Sequence, residues 1–410
     1  MSELRGTLIV AQSGGPTAVI NSSVYGVVRT ALDAECITKV YGAHHGIKGV
    51  LNDQLITFDL EDDKELERLQ YTPSSVLGSC RYKLADADVD DTDYKRILQI
   101  FKKYNVRYFC YNGGNDSMDT CNKISKYLKK VGYECRVMGV PKTIDNDLTG
   151  TDHCPGYASA AKYIATSMME VARDAKVYDS GCVTVIECMG RHAGWITAAA
   201  SLANIKDRCI DYIYLPEVAF DMDQFLNDVE HTYKTRGDCI VVVSEGLRYA
   251  DGRFVSEAEA SATDGFGHAQ LGGLAAKLTA AVAARLGCKV RPIELSLLQR
   301  CAAHCASLTD INESRMSGEV AVKAMLEGDT DKMVGFKCER KGGYTCEPIL
   351  LPLEAVANDE KKFPLDWITD EKNNILPAFI DYALPLIQGE TKLEYEDGLP
   401  RFAILKRIYS

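Results

Sequence analysis

The chain has no run of 18 or more apolar residues, so nothing in it is long enough to span a bilayer as a helix. It has no Pro/Ser/Gly tract, no low-complexity segment and no short repeat, which argues against linker-joined and solenoid architectures. It also lacks a basic excess. With 47 Lys and Arg against 58 Asp and Glu, its net charge of −11 argues against non-specific nucleic-acid binding. The N-terminus offers only a short apolar run before a Gly-rich turn, so no secretory leader is expected. Cysteine, by contrast, is plentiful. The 15 cysteines are scattered, and Cys110, Cys182, Cys188 and Cys239 lie in strand-like apolar runs. Reduced, buried thiols in a cytoplasmic protein are expected. Cys301, His304 and Cys305 form the one metal-like cluster, but their spacing fits no common zinc pattern.

What remains is a chain of 410 residues, 46% hydrophobic, enough to bury the cores of two or three domains. Strand-like runs alternate with helical patterns. Strands are expected at Thr7–Ala11, Val106–Asn112, Arg136–Val140, Cys182–Cys188, Cys209–Leu215 and Cys239–Ser244. Helices are expected at Pro16–Leu32, Asp116–Lys130, Gly156–Arg173, Ala193–Ala203 and Gly267–Leu286. This rhythm implies α/β architecture with mainly parallel sheets covered by helices. Asp86–Asp93 reads as a solvated loop or helix start, Glu354–Asn374 as a polar insertion, and Arg401–Ile408 as a strand.

Four polar turns follow strands. The first holds Gly14 and Gly15 and is expected to open a helix, offering backbone N–H groups to an anion. The second holds Gly114, Asn115, Asp116 and Ser117, suited to a phosphate, a hydrated Mg²⁺ or a helix cap. The third runs Pro141-Lys142-Thr143-Ile144-Asp145-Asn146-Asp147. Two carboxylates at i and i+2 beside a lysine suit a general base with a charge-stabilising partner, or an Asx-rich turn. The fourth holds Met189, Gly190 and Arg191, an arginine placed for a phosphate or for a surface ion pair. Open α/β sheets bind ligands beyond the carboxyl ends of their strands, so two diglycine turns on one edge would make a phosphate cradle. Neither diglycine turn completes the G-x-G-x-x-G of a dinucleotide-binding oxidoreductase.

The order SGGP, GG-x-x-S, P-x-TIDND, MGR-x-AG, PE and SEG resembles the phosphofructokinase family from about Thr7 to Gly335. The resemblance implies two Rossmann-like three-layer domains with the active site in the cleft between them. Residues 1–155 plus about 299–345 would form a phosphoryl-donor domain, and 156–298 plus about 346–410 a sugar-phosphate domain. It implies Mg²⁺-dependent phosphoryl transfer to the 1-hydroxyl of fructose 6-phosphate by a cytoplasmic homo-oligomer. Asp145 resembles the general base, with Lys142 and Thr143 beside the transferring group. Gly14, Gly15, Arg81, Gly114, Asp116 and Ser117 resemble donor contacts. Asp147, Met189, Gly190, Arg191, Glu245, Arg291 and Arg300, with Thr143 and Asp145, resemble sugar-phosphate contacts. Asn115, Asp116 and Asp147 fall where metal contacts are expected.

Two positions bear on the donor. ATP-using members typically read GGDGS and PGTIDND, with glycine where this chain has Asp116 and Lys142. A carboxylate at 116 fills and repels the place of a nucleotide α-phosphate. Together with the run Asp264–Gly273, this resembles the pyrophosphate branch. An ATP-dependent enzyme and a non-catalytic regulatory subunit are the alternatives. Asn115 stands where the family has Asp, Cys182 where some members have arginine, and Leu297 where a His or aromatic residue is usual. Arg401, Lys406 and Arg407 are further candidates for the sugar phosphate, or a solvated basic face.

Overall fold

A computed structural model describes residues 4–177, 179–256, 272–357 and 359–410. Two sheets organise them. The larger has seven strands: β1 (Gly6–Gln12), β2 (Ile37–Ala43), β3 (Leu55–Thr57), β4 (Val106–Gly113), β5 (Arg136–Pro141), β10 (Lys332–Glu339) and β11 (Thr345–Pro352). Their order is β11-β10-β5-β4-β1-β2-β3. The five inner strands run parallel, and both edge strands pair antiparallel. The smaller sheet has β6 (Cys182–Cys188), β7 (Tyr212–Tyr214), β8 (Asp238–Ser244) and β9 (Val290–Glu294), all parallel, in the order β7-β8-β6-β9.

Both sheets are buried on two faces, which is why their central strands read as continuous apolar runs. In β1, Ile9 and Ala11 pack on one face with Phe101, Phe109 and Met118, while Leu8 and Val10 pack on the other with Val24, Val27 and Met325. In β6, Ile186 and Cys188 face one core, and Val183 and Val185 the opposite one. On the larger sheet, the helices Ile20–Leu32 and Leu308–Glu327 cross at very close range. A β-carbon on Gly26 would lie 2.1 Å from the Arg315 carbonyl oxygen, and Gly318 is equally tight against Ser23.

The α/β class and most inner elements match expectation, with corrections. The first helix starts at Ile20, not Pro16, so no helix N-terminus stands directly behind Gly14 and Gly15. The strand expected at Cys209–Leu215 is limited to Tyr212–Tyr214. The helix expected from Gly267 is described only from Leu274 to Leu286, and Asp264–Leu271 lies outside the described residues. No strand forms over residues 401–408. That tail instead runs beside β3, with Thr57 N–H donating to the Ile408 carbonyl and Ser410 N–H to that of Leu55. β11 belongs to the larger sheet. Both segments were expected with the sugar-phosphate domain; β11 instead joins the larger sheet through its antiparallel hairpin with β10, and the tail lies beside β3.

Candidate functional site

The carboxyl ends of β1, β4, β5, β6 and β8 deliver their following loops to one cavity of about 620 Å³. Gly14, Gly15 and Arg81 line it, as do Gly114, Asn115, Asp116 and Ser117, the start of the helix Asn115–Lys130. Lys142, Thr143, Asp145 and Asp147 follow from β5, Met189 and Arg191 from β6, and Glu245 from β8.

Local geometry explains the turns. Gly14 has φ +75°, a left-handed conformation that glycine adopts without strain. The Ser79 hydroxyl donates to its carbonyl at 2.6 Å. A β-carbon on Gly113 would stand 2.0 Å from Ser117 Oγ, so that glycine admits Ser117 to the site. Lys142 Nζ crosses to the first loop and donates to the Gly15 carbonyl at 2.8 Å. Asn146, between the two aspartates, has φ +56° and is fully buried. Its amide donates to Tyr382 Oη at 2.8 Å, and its carbonyl accepts from Cys154 N–H at 2.9 Å. Asn146 therefore holds the loop shape, while Asp145 and Asp147 face the cavity.

Burial sets the electrostatics. It pushes Asp145 up to about 6, with the Glu245 charge adding to the effect against Lys142, Arg191 and Arg300. It pushes Asp147 up to about 7, helped by Asp145 and Glu360. Burial lowers Lys142 to about 8, opposed by Asp145 and Asp147. It also raises Glu245, whose carboxylate accepts from Gly190 N–H at 3.3 Å. The cavity thus holds carboxyl groups poised near neutrality beside cations, the arrangement proton transfer requires.

Asn115 tests the fit to Mg²⁺. Its Oδ1 is buried and has no hydrogen-bond partner among the described residues. A buried carbonyl oxygen without a donor is costly unless something electropositive meets it. Asp116 and Asp147 line the same cavity, so the donor set is all oxygen and suits a hard divalent cation.

Three expected residues are not in the cavity lining: Arg291, Arg300 and Gly190, whose N–H turns to Glu245. Arg291 lies early in β9 and donates to Asp174 at 2.7 Å, outside the cavity lining. Arg300 is at the rim, 3.0 Å from where a β-carbon of Gly15 would be. The tail residues are also remote. Arg401 pairs with Glu65, and Lys406 Nζ donates to the Leu60 carbonyl. Cys301, His304 and Cys305 do not converge: Cys301 Sγ turns to Leu298 and Cys305 Sγ to Thr166.

Sequence reading missed His192, Asp359, Glu360 and Lys362, which also line the cavity. Residues 359–362 come from the segment read as a polar insertion. Lys361 N–H donates to the Asp147 carbonyl at 2.7 Å, and its buried Nζ donates to the carbonyls of Thr151 and Asp152. Two acidic residues followed by two lysines look like a solvated face until Trp195 and Phe363 anchor the segment. The PE motif proves architectural: Glu217 Oε1 accepts from Gly194 N–H at 2.8 Å and Phe363 N–H at 3.1 Å.

Comparison with known proteins agrees with this geometry. The family pattern described as PFK, Phosphofructokinase, matches residues 7–294. A Halomonas elongata protein named pyrophosphate–fructose 6-phosphate 1-phosphotransferase is 43% identical over 401 residues, covering 97% of this chain and 95% of its own. A Xanthomonas campestris protein of the same name is 44% identical over 407 residues, covering 98% and 97%. The crystal structure of a pyrophosphate-dependent phosphofructokinase from Marinobacter aquaeolei superposes with TM-score 0.90 at 39% identity, covering 99% of this chain and 97% of that one. With its turns converging on one cavity and these relatives spanning nearly its whole length, the chain belongs to the phosphofructokinase family.

Proposed function

We propose that the chain is a pyrophosphate-dependent 6-phosphofructokinase, moving a phosphoryl group reversibly from diphosphate to the 1-hydroxyl of fructose 6-phosphate. The observation that carries the donor assignment is Asp116 on the wall of the cavity that Lys142 and Gly114 also line. That carboxylate occupies the approach a nucleotide α-phosphate would need, and Lys142 supplies a buried positive charge for a compact donor. The names borne by the relatives support the same choice.

In this reading Gly14, Gly15, Arg81, Gly114 and Ser117 hold the diphosphate. Thr143 positions the transferring group, with its Oγ1 already accepting from Asp145 N–H at 3.1 Å. Asp145 removes the 1-hydroxyl proton as the oxygen attacks phosphorus, and returns it in the reverse direction. Lys142 neutralises charge on the leaving phosphate. Met189, Gly190, Arg191, Glu245 and Arg300 hold the sugar phosphate. Asn115, Asp116 and Asp147 would hold Mg²⁺, which when bound draws charge from the phosphate oxygens. The protein's work is positioning and neutralisation rather than covalent chemistry.

The donor domain takes in the larger sheet and the sugar-phosphate domain the smaller one. Free thiols at all 15 cysteines support a reducing, cytoplasmic setting. Among the described residues β9 is paired on one side only, and Leu297 and Leu298 after it are exposed, which supports a homo-oligomer. The test is an assay with fructose 6-phosphate and Mg²⁺, supplying diphosphate or ATP. Fructose 1,6-bisphosphate made with diphosphate alone is expected. Product with ATP alone would overturn the donor assignment, and no product with either would leave a regulatory subunit.

A further inference from the structure

Away from the cavity, the hairpin β10–β11 meets the loop Thr151–Cys154 and the helix Leu308–Glu327. Among the described residues, Asp152, His153 and Cys338 are the one group of metal-ligating side chains whose ligand atoms all lie within 4.8 Å of one another. His153 Nδ1 is 3.0 Å from Asp152 Oδ1 and 3.7 Å from Cys338 Sγ. Cys346 stands directly opposite Cys338 in the antiparallel pair. We propose that Asp152, His153, Cys338 and Cys346 form a structural site for a divalent cation of the zinc type.

Distances favour it. Zinc bonds of about 2.0–2.3 Å in a tetrahedron place neighbouring ligand atoms roughly 3.3–3.8 Å apart. The Asp–His–Cys triangle is already close to that size before any cation draws it in.

The surroundings favour it further. A zinc-bound imidazole usually gives its other nitrogen to a carboxylate, which fixes the ring and its tautomer. Here His153, 1% exposed, places Nε2 2.7 Å from Glu313 Oε2. Glu313 is fixed in turn by the Tyr344 hydroxyl at 2.6 Å. Arg340 grips Asp152 through two bonds of 2.8 and 2.7 Å. Phe336 stacks on the His153 ring at 5.1 Å. Asp152 and His153 therefore each have their own supporting contact.

Thiolate is the form that binds metal. Uptake would displace the Nδ1 proton of His153 and the remaining thiol protons, and the cation would stand in place of that shared proton. It would tie the hairpin to the loop that begins four residues after Asp147. The site does not depend on the reaction proposed above, and its mixed sulfur and nitrogen ligands differ from the all-oxygen set at Asn115.

Cobalt(II) replacing zinc in the intact protein separates the two sites, because only cysteine ligation gives a thiolate-to-cobalt charge-transfer band. The expected result is one equivalent of Zn²⁺ retained after dialysis, with that band on cobalt exchange. Both should be lost in Cys338→Ser. In Glu313→Gln the zinc Kd should rise about 10–100-fold, the usual effect of removing an outer partner. Absence of zinc and of the band in the native protein would overturn the proposal. So would full retention in Cys338→Ser, or a Cys338–Cys346 disulfide found by thiol titration in protein that takes up no metal.

Discussion

Lys142 Nζ donates to the carbonyl of Gly15 at 2.8 Å, joining the loop after β5 to the loop after β1. The ammonium is buried, and burial lowers it to about 8. A charged group held at such a cost belongs to function rather than stability. Lys142→Met should lower turnover by about 10²–10³-fold, the scale of losing one charge-stabilising donor. The ligand-free variant should melt no lower than the native protein. Thermal denaturation beside steady-state kinetics reads both.

Asp145 titrates near 6, so proton removal from the sugar weakens as pH falls through that value. The forward kcat/KM should drop on the acid side with an apparent pKa near there. Asp145→Ala should cost about 10²–10⁴-fold in turnover while fructose 6-phosphate still binds. Normal turnover in that variant would remove Asp145 from the mechanism.

Asp147 has a stability signature of its own. Its folded pKa, about 7, lies above that of an exposed carboxylate. Between about pH 4 and 7 the folded chain therefore holds a proton that the unfolded chain releases. Stability from this group is full below that window and is lost as pH rises through it. The Tm of Asp147→Asn should gain on the native Tm between pH 5 and 8. Parallel curves would contradict the burial account.

How far the sequence carried the reading depends on where the information lay. Lys142, Asp145, Arg191 and Glu245 were legible because each follows a buried strand directly, and parallel strands put their carboxyl ends together. Asp359, Glu360 and Lys362 were not, because their placement depends on pairing with the Asp147 loop rather than on local pattern. The same holds for β9 through β11. The β10–β11 hairpin is long-range in origin, since β10 docks on β5 nearly two hundred residues earlier. Arg291 shows a related gap: motif spacing gives its position along the chain but not its direction, and within this chain its side chain turns to Asp174.

That contact gives a further prediction. Arg291→Ala should change the KM for fructose 6-phosphate less than Arg191→Ala does, because only Arg191 lines the cavity. A larger effect at Arg291 would mean that β9 contributes to a site completed by another copy of the chain.

Asp116→Gly should raise kcat/KM for ATP by about tenfold or more, since removing a like-charge clash is worth on the order of a kcal/mol or more. Initial rates across ATP concentrations would show it. No gain would mean that more than one side chain closes the donor pocket.

The most direct test of the central claim runs the reaction backwards. The native protein is given fructose 1,6-bisphosphate, orthophosphate and Mg²⁺, with no nucleotide, and followed by phosphorus NMR. A growing diphosphate signal matched by fructose 6-phosphate is the predicted result. A spectrum that stays unchanged until ADP is added, and then shows ATP, would contradict it.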